Sequence, residues 1–219
     1  ELMRIEKASE AADATKVLCS VLKNDISPHV RSSIARAMTY SPASASSVVD
    51  ALIAAMDDNY KEVRVSAFSA LAKFGAEARP AVPKIIKYYN DDSDLNSRYQ
   101  ALNALYSIEK NNPEVIKIFL KALDEPRTSA MAMGYLNAMG AAAAPAIPAL
   151  MTILNSSENR SMRMQAANIL GSIGSGASSV LPKLKELVET TQEPLKKSIE
   201  AAIKRIGDAS IENNAPTVR

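Results

Sequence analysis

The stretch Glu62-Val63-Arg64-Val65-Ser66-Ala67-Phe68-Ser69-Ala70-Leu71-Ala72-Lys73-Phe74-Gly75 decides the fold, because its pattern returns along the chain. The copies are aligned on one anchor position, and neighbouring anchors lie 31 to 34 residues apart. The six anchors are Arg31, Arg64, Arg98, Ser129, Arg163 and Lys196. A period of this length is typical of stacked structural repeats, each too small to bury an apolar face by itself.

Each copy predicts a helix with one apolar face. A large apolar residue follows every anchor by seven residues, which is two helical turns. These residues are Met38, Leu71, Leu105, Leu136, Leu170 and Ile203. Four anchors are followed after three residues by alanine, small enough to let a neighbouring helix approach: Ala67, Ala101, Ala132 and Ala166. Glycine eleven residues after four anchors predicts the helix end, at Gly75, Gly140, Gly174 and Gly207.

A second helix is predicted after each of these ends. Pro83, Pro148 and Pro182 lie eight residues beyond a glycine, and proline is favoured in the first turn of a helix. Two residues later every copy has a large apolar residue: Leu52, Ile85, Ile118, Leu150 and Leu184. We therefore expect an all-α protein of about twelve helices, the first near residues 10–23 and the last near residues 192–206.

Acidic residues occupy the predicted turns between copies. Asp25, Asp58 and Asp92 each precede an anchor arginine by six residues. A carboxylate in such a turn can cap the following helix or bind an arginine side chain. We expect these aspartates to contact an arginine of their own repeat or of the adjoining one.

The pattern from Val63 to Leu71, with the turn from Gly75 to Pro83, resembles HEAT repeats. The segment Ala166–Gly174 is similar to the bacterial HEAT-like subgroup of the PBS-lyase type. This resemblance covers about residues 10–207. It implies a right-handed α-solenoid (an α-α superhelix) of about six helix pairs over residues 1–207. Residues 208–219 are polar and lack the periodicity, which predicts a C-terminal tail. The family comprises scaffolds and modules appended to many different enzymes.

Composition excludes several classes of protein. The chain has 219 residues, of which 47% are hydrophobic and 23% charged, as expected of a globular domain. No apolar run approaches the length of a membrane span. One cysteine, Cys19, and one histidine, His29, exclude a disulfide framework and a multi-histidine metal site. We expect no cofactor and no bound metal. A net charge of +2 and the absence of Trp argue against nucleic-acid binding.

One acidic run imitates a calcium loop. Asp92, Asp94 and Asn96 have the spacing of the first three ligands of an EF-hand. However, Ser97 and Asn103 replace the glycine and the bidentate glutamate that the loop requires. We therefore expect this run to cap a helix.

Lysines supply the candidate binding residues. Lys84, Lys117 and Lys183 fall at one repeat position of the second helices, and Lys87 and Lys121 lie about one turn further along. Because the resemblance implies that second helices line the concave face, these lysines predict a basic stripe that faces a partner. A merely solvated helix face is the alternative.

The leading functional hypothesis is a non-enzymatic scaffold that binds a protein, or another domain of its parent chain, along the concave face. An alternative is an accessory C-terminal module of a larger enzyme, for example a secreted hydrolase. A third is a HEAT protein that acts on nucleic acid or a chromophore. The chain begins at Glu1 rather than Met, and both cytoplasmic and exported locations are compatible with it.

Overall fold

The computed structural model describes residues 2–40, 45–91 and 94–214, and every regular element in these ranges is helical. The α-helices are α1 (Leu2–Asn24), α2 (Pro28–Ala37), α3 (Ala45–Ala55), α4 (Lys61–Phe74), α5 (Val82–Asp91), α6 (Leu95–Glu109), α7 (Pro113–Leu123), α8 (Ser129–Met139), α9 (Ile147–Ser156), α10 (Arg160–Ile173), α11 (Leu181–Thr190) and α12 (Leu195–Asn214). The all-α prediction is confirmed.

The helices form two compact units, residues 1–110 with α1 to α6 and residues 111–219 with α7 to α12. In the first unit α2 packs on α4 and α4 packs on α6, so the first helices of successive repeats stack. In the second unit α8, α10 and α12 stack in the same way. This succession of stacked helix pairs is an α-solenoid.

The repeated apolar positions form the core. The residues seven positions after the first five anchors have no exposed surface: Met38, Leu71, Leu105, Leu136 and Leu170. The four predicted alanines are equally buried, and all five large residues of the second helices are buried as well. The two spacings read from the sequence therefore identify the side chains that join one repeat to the next.

The register predicted for the last repeat is wrong by three residues. Ile203 is only half-buried, whereas the buried face of α12 consists of Leu195, Ile199, Ala202 and Ile206. Taking Ile199 as the anchor restores alanine after three residues and a large apolar residue after seven. The corrected anchor lies 36 residues after Arg163, a longer spacing than the 31 to 34 residues between the other anchors.

Three of the four predicted glycine ends are confirmed. Gly75, Gly140 and Gly174 have φ angles of +52°, +54° and +68°, a backbone region that residues with a side chain rarely adopt. Each opens a seven-residue 3₁₀ segment that leads into the second helix: Gly75–Ala81, Gly140–Ala146 and Gly174–Val180.

Gly207 does not end its helix, because α12 continues to Asn214. In the corrected register this glycine comes three residues too early to be the stop. Ala209 packs over Gly174, where an added Cβ would lie 3.3 Å from the Ala209 Cβ. The Ser210 hydroxyl donates a hydrogen bond to the Ile206 carbonyl at 2.8 Å. The tail predicted from residue 208 is thus helical up to residue 214, and residues 215–219 lie outside the described part of the chain.

One stretch of the described residues, Ser129–Ser156, is long and apolar enough by composition to cross a membrane. In the structure this stretch is α8, a 3₁₀ segment and α9, and the positive φ of Gly140 breaks it. Its buried residues, such as Leu136 and Leu150, face neighbouring repeats because α8 packs on α7 and α10, and α9 packs on α10. Core packing buries 33% of its most apolar window.

Truncating the buried leucines should destabilise the protein strongly. Leu71→Ala, Leu105→Ala or Leu170→Ala should each lower the free energy of unfolding by about 2–5 kcal/mol, since each leaves a cavity between stacked helices. Ile26, which is 96% exposed, provides the control, and Ile26→Ala should change the value by less than about 0.5 kcal/mol. Urea denaturation measures the free energy of unfolding of the leucine variants and of the control. Losses below about 1 kcal/mol at all three leucines would contradict this account of the core.

Two glycines near α8 should respond to alanine in opposite directions. Gly140→Ala places a side chain at positive φ and should cost about 1–2 kcal/mol. Gly134 lies within α8, and a Cβ there would meet no atom within 4 Å, so Gly134→Ala should stabilise by about 0.5–1 kcal/mol. Thermal melting of the two variants tests the assignment of Gly140 as the break in the chain. Equal shifts of the same sign would contradict it.

Candidate partner-binding site

An ion pair joins the first two inter-repeat turns. The Nε and Nη2 groups of Arg31 donate hydrogen bonds to the two carboxylate oxygens of Asp58 at 2.7 and 2.9 Å, and its Nη1 donates to the carbonyl of Asp25 at 2.6 Å. Both side chains in the pair are only 11% exposed. The hydrogen bonds from Arg31 lower the pKa of Asp58. The expected contact between a turn aspartate and the arginine of an adjoining repeat is confirmed here.

The acidic run after α5 caps a helix, as predicted. Asp94 is the N-cap of α6, and its Oδ2 accepts hydrogen bonds from the Ser97 N–H at 2.8 Å and the Ser97 hydroxyl at 2.9 Å. The Nζ of Lys61 lies 2.7 Å from its other oxygen. The hydrogen bond from Lys61, followed by those from Ser97, lowers the pKa of Asp94 to about 2. Asp92, the first residue of the imitated calcium loop, lies outside the described residues.

Lys84 is less available than the sequence suggests. Its Nζ donates to the carbonyl of Ile53 at 2.7 Å and to the Oδ2 of Asp57 at 2.6 Å. The Lys84 side chain is 29% exposed, because it lies against the C-terminal end of α3. This lysine therefore joins two second helices, α3 and α5, and its charge is already matched by Asp57 within the protein's own surface.

Lys87, one turn further along α5, is exposed and borders an open cavity of about 860 Å³. The cavity is lined by Asp57, Arg64, Pro83, Lys84, Lys87, Tyr88 and Asp91. The lining residues come from α4, from α5 and from the turn after α3, all in the first unit. Three cations face two carboxylates, one of which, Asp57, is paired with Lys84.

The inner wall of this cavity contains two residues that the sequence analysis did not assign to a site. Arg64 donates from Nε to the Tyr88 hydroxyl at 2.7 Å and from Nη1 to the carbonyl of Asp58 at 2.9 Å. The Tyr88 ring packs edge-on against Phe68, with 4.8 Å between the ring centroids. Arg64 is an anchor residue and Tyr88 lies four residues after Lys84, so both positions are visible in the sequence pattern. Their contact, however, depends on how α4 packs against α5.

The remaining candidate lysines belong to the second unit. Lys117 is 68% exposed and pairs with Glu114 one turn earlier on α7, with 2.7 Å between Nζ and Oε1. Lys121 on α7 and Lys183 on α11 are exposed. The structure thus places all five lysines on second helices, two in the first unit and three in the second.

The other candidates have local structural surroundings. His29 is exposed on the first turn of α2. Cys19 is half-buried, and burial raises the pKa of its thiol. Within the described ranges, no three His, Cys, Asp or Glu side chains lie close enough together to hold a metal ion.

Comparison with known proteins identifies the repeats. The sequence signature described as HEAT repeats matches residues 15–94, 49–134 and 126–204. The fold is similar to that of an engineered protein solved as structural genomics target OR329 (TM-score 0.58, 18% identity, 88% of this chain and 97% of that chain). It is also similar to a designed armadillo repeat protein in complex with the peptide (KR)4 (TM-score 0.59, 16% identity, 86% of this chain and 98% of that chain). No curated protein sequence matches the chain.

The acidic cap at Asp94 should make folding stability sensitive to acid. Because the folded-state pKa is about 2 and an ordinary Asp titrates near about 4, the carboxylate contributes stability above about pH 4. That contribution is lost as the pH falls towards about 2. In Asp94→Asn, which does not titrate there, the free energy of unfolding should fall less over this interval than in the wild type.

Urea denaturation at a series of pH values measures this difference. Lys61→Met should act differently, because it removes the largest cause of the depressed pKa and so moves the acid-dependent loss to higher pH. An Asp94→Asn variant that follows the wild-type profile throughout would refute the assigned role of the cap.

Proposed function

Because the chain belongs to the HEAT-repeat family, we propose that it is a non-enzymatic scaffold that binds another protein, or another domain of its parent chain, through its second helices. The observation that carries this proposal is the open cavity beside α5, which combines exposed charge with an aromatic wall. Extended surfaces of this kind bind through modest contacts spread over several repeats.

The charges of the cavity favour an acidic partner. Asp57 is matched by Lys84 at 2.6 Å, and Arg64 is bound by neutral oxygen atoms of Tyr88, Asp58 and Asn59. Counting Lys87 and Asp91 as well, the lining has three positive and two negative side chains. An acidic segment could neutralise Lys87 and Arg64, while Pro83 and Tyr88 offer apolar surface for a neighbouring side chain.

The designed armadillo repeat protein of similar fold offers a useful contrast, since the peptide it holds consists of lysine and arginine. The cavity beside α5 has a net positive lining and therefore favours a peptide of the opposite, negative charge. Lys117, Lys121 and Lys183 extend the same charge sign to the second helices of the second unit. We therefore infer that this chain selects an acidic rather than a basic segment, with charge acting mainly on the rate of association and its salt dependence.

Reversing charge on the second helices should abolish capture of an acidic partner. The test variant carries Lys87→Glu, Lys117→Glu and Lys183→Glu, and it leaves Lys84 in place because that lysine holds α3 against α5. The matched control carries Lys73→Glu, Lys197→Glu and Lys204→Glu, three exposed lysines on first helices. Both variants change the net charge equally and should remain folded, since exposed substitutions rarely change stability by more than about 0.5 kcal/mol each.

Affinity capture from a lysate of the source organism at low salt compares the two variants with the wild type, and circular dichroism confirms their folding. Acidic proteins captured by the wild type should be retained by the control and lost by the test variant. The same proteins captured by both variants would place binding on another surface.

A further inference from the structure

Three of the anchor arginines are followed by an acidic residue at one sequence distance. Twenty-seven residues after Arg31, Arg64 and Arg98 stand Asp58, Asp91 and Glu125. Ser129, the anchor without an arginine, is followed at the same distance by Ser156, which is not acidic. The exception is Arg163, because position 190 is a threonine. This repeat keeps the cation and lacks the acid.

In the second of these repeats Arg64 donates to the Tyr88 hydroxyl and the Asp58 carbonyl, whereas in the first Arg31 contacts the acid, Asp58. Its carboxylate receives two hydrogen bonds from the guanidinium of Arg31 and a third, at 2.9 Å, from the backbone N–H of Tyr60. An arginine and a carboxylate in this bidentate arrangement form one of the stronger polar contacts in proteins. The position that Asp58 fills is therefore shaped for a carboxylate.

At Arg163 the equivalent place is open. The Nε of Arg163 donates to the carbonyl of Leu154 at 2.7 Å, and among the described residues no carboxylate lies within ion-pair distance of its guanidinium. A cavity of about 350 Å³ lies beside it. The lining consists of Glu158, Arg160, Arg163, Thr190, Thr191, Gln192 and Leu195.

The charged groups around this cavity favour a single negative charge. Arg160 lines it and donates a hydrogen bond to the Glu193 carbonyl. Glu158 is the one carboxylate in the described lining and is exposed. The hydroxyl of Thr190 donates to the Leu187 carbonyl at 3.3 Å, so Thr190 does not replace the missing acid. Two guanidinium groups against one carboxylate leave the lining with net positive charge.

We propose that this cavity, defined here as the Arg163 site, binds the carboxylate of an acidic side chain from a partner protein. The Nε of Arg163 already donates to the Leu154 carbonyl, so Arg163 would hold the incoming carboxylate through its two Nη groups, with Arg160, Thr191 and Gln192 as further donors. This proposal rests on the scaffold function and deepens it, because it names the chemistry of the partner and a location in the second unit.

The internal example determines the choice of ligand. The chain itself shows a carboxylate bound at the matching position of another repeat, in a bidentate arrangement with an arginine. Arg160 and Arg163 against Glu158 leave one net positive charge, which the single negative charge of a carboxylate neutralises. An acidic side chain is therefore the ligand that the local geometry and charge both favour.

Substituting position 190 tests the site without disturbing the core, since Thr190 is exposed at the end of α11. Thr190→Asp places an acid where the other arginine repeats have one, and its carboxylate should pair with Arg163 in place of a ligand. Thr190→Asn is the matched control, because asparagine has nearly the same shape as aspartate and carries no charge. Thr190→Asp should melt at a higher temperature than Thr190→Asn, and the difference should disappear when Arg163→Gln is added to both.

The binding probe is a fluorescein-labelled peptide of eight glutamates, followed by fluorescence anisotropy with the full chain at low salt. The wild type and Thr190→Asn should bind it alike, whereas Thr190→Asp and Arg163→Gln should bind about tenfold more weakly. Arg36→Gln removes an exposed arginine of the first unit and should leave the affinity unchanged. Glu158→Gln should strengthen binding, because it removes the opposing charge.

Three results would overturn the proposal. Equal affinities for the wild type, Thr190→Asp and Arg163→Gln would show that the peptide binds elsewhere. An equal melting temperature for Thr190→Asp and Thr190→Asn would show that position 190 does not face Arg163. Displacement of the peptide by inorganic phosphate at lower concentration than by acetate would assign the site to phosphate. The melting comparison does not depend on the second-helix lysines, so the scaffold proposal would remain to be judged by its own variants.

Discussion

The stacking of one first helix on the next is the constraint on which the other features of the structure depend. A helix pair of this length cannot bury its own apolar face, so each repeat uses its neighbour as the other half of its core. Alanines such as Ala67 and Ala101 lie where the helices approach, and leucines such as Leu71 fill the space beside them. Both kinds of residue are fully buried, and any change in their spacing moves a whole repeat relative to the next.

Stacking also determines the chemistry of the turns. It brings the turn of one repeat beside the arginine of the preceding one, where Arg31 and Asp58 are both largely removed from water. An isolated charge would be costly in such a place, whereas a hydrogen-bonded pair is tolerated. In the repeat of Arg163 the arginine is present, but threonine stands at the position that the acid occupies in the repeat of Arg31.

Periodicity in the sequence was enough to predict the helix pairs, the buried leucines and three of the four glycine breaks, because these features depend on local spacing. It failed at α12, where the repeat spacing increases to 36 residues and the anchor is Ile199 rather than Lys196. It also failed to predict that Lys84 reaches Asp57 and that Arg64 reaches Tyr88. Those contacts join different helices, and their existence depends on how the helices meet rather than on the spacing within either one.

The two candidate surfaces differ in how the repeat architecture produces them. The cavity at Lys87 combines an exposed charge, which can vary without altering the fold, with Lys84 and Arg64, which join neighbouring helices. The Arg163 site is a position of the repeat framework from which one partner has been removed. A ligand carboxylate there would restore a contact that the fold makes elsewhere, and the arginine is already held in place by Leu154 before the ligand arrives. Such preorganisation lowers the entropic cost of binding, which allows a single side chain of a partner to contribute substantially on an otherwise shallow surface.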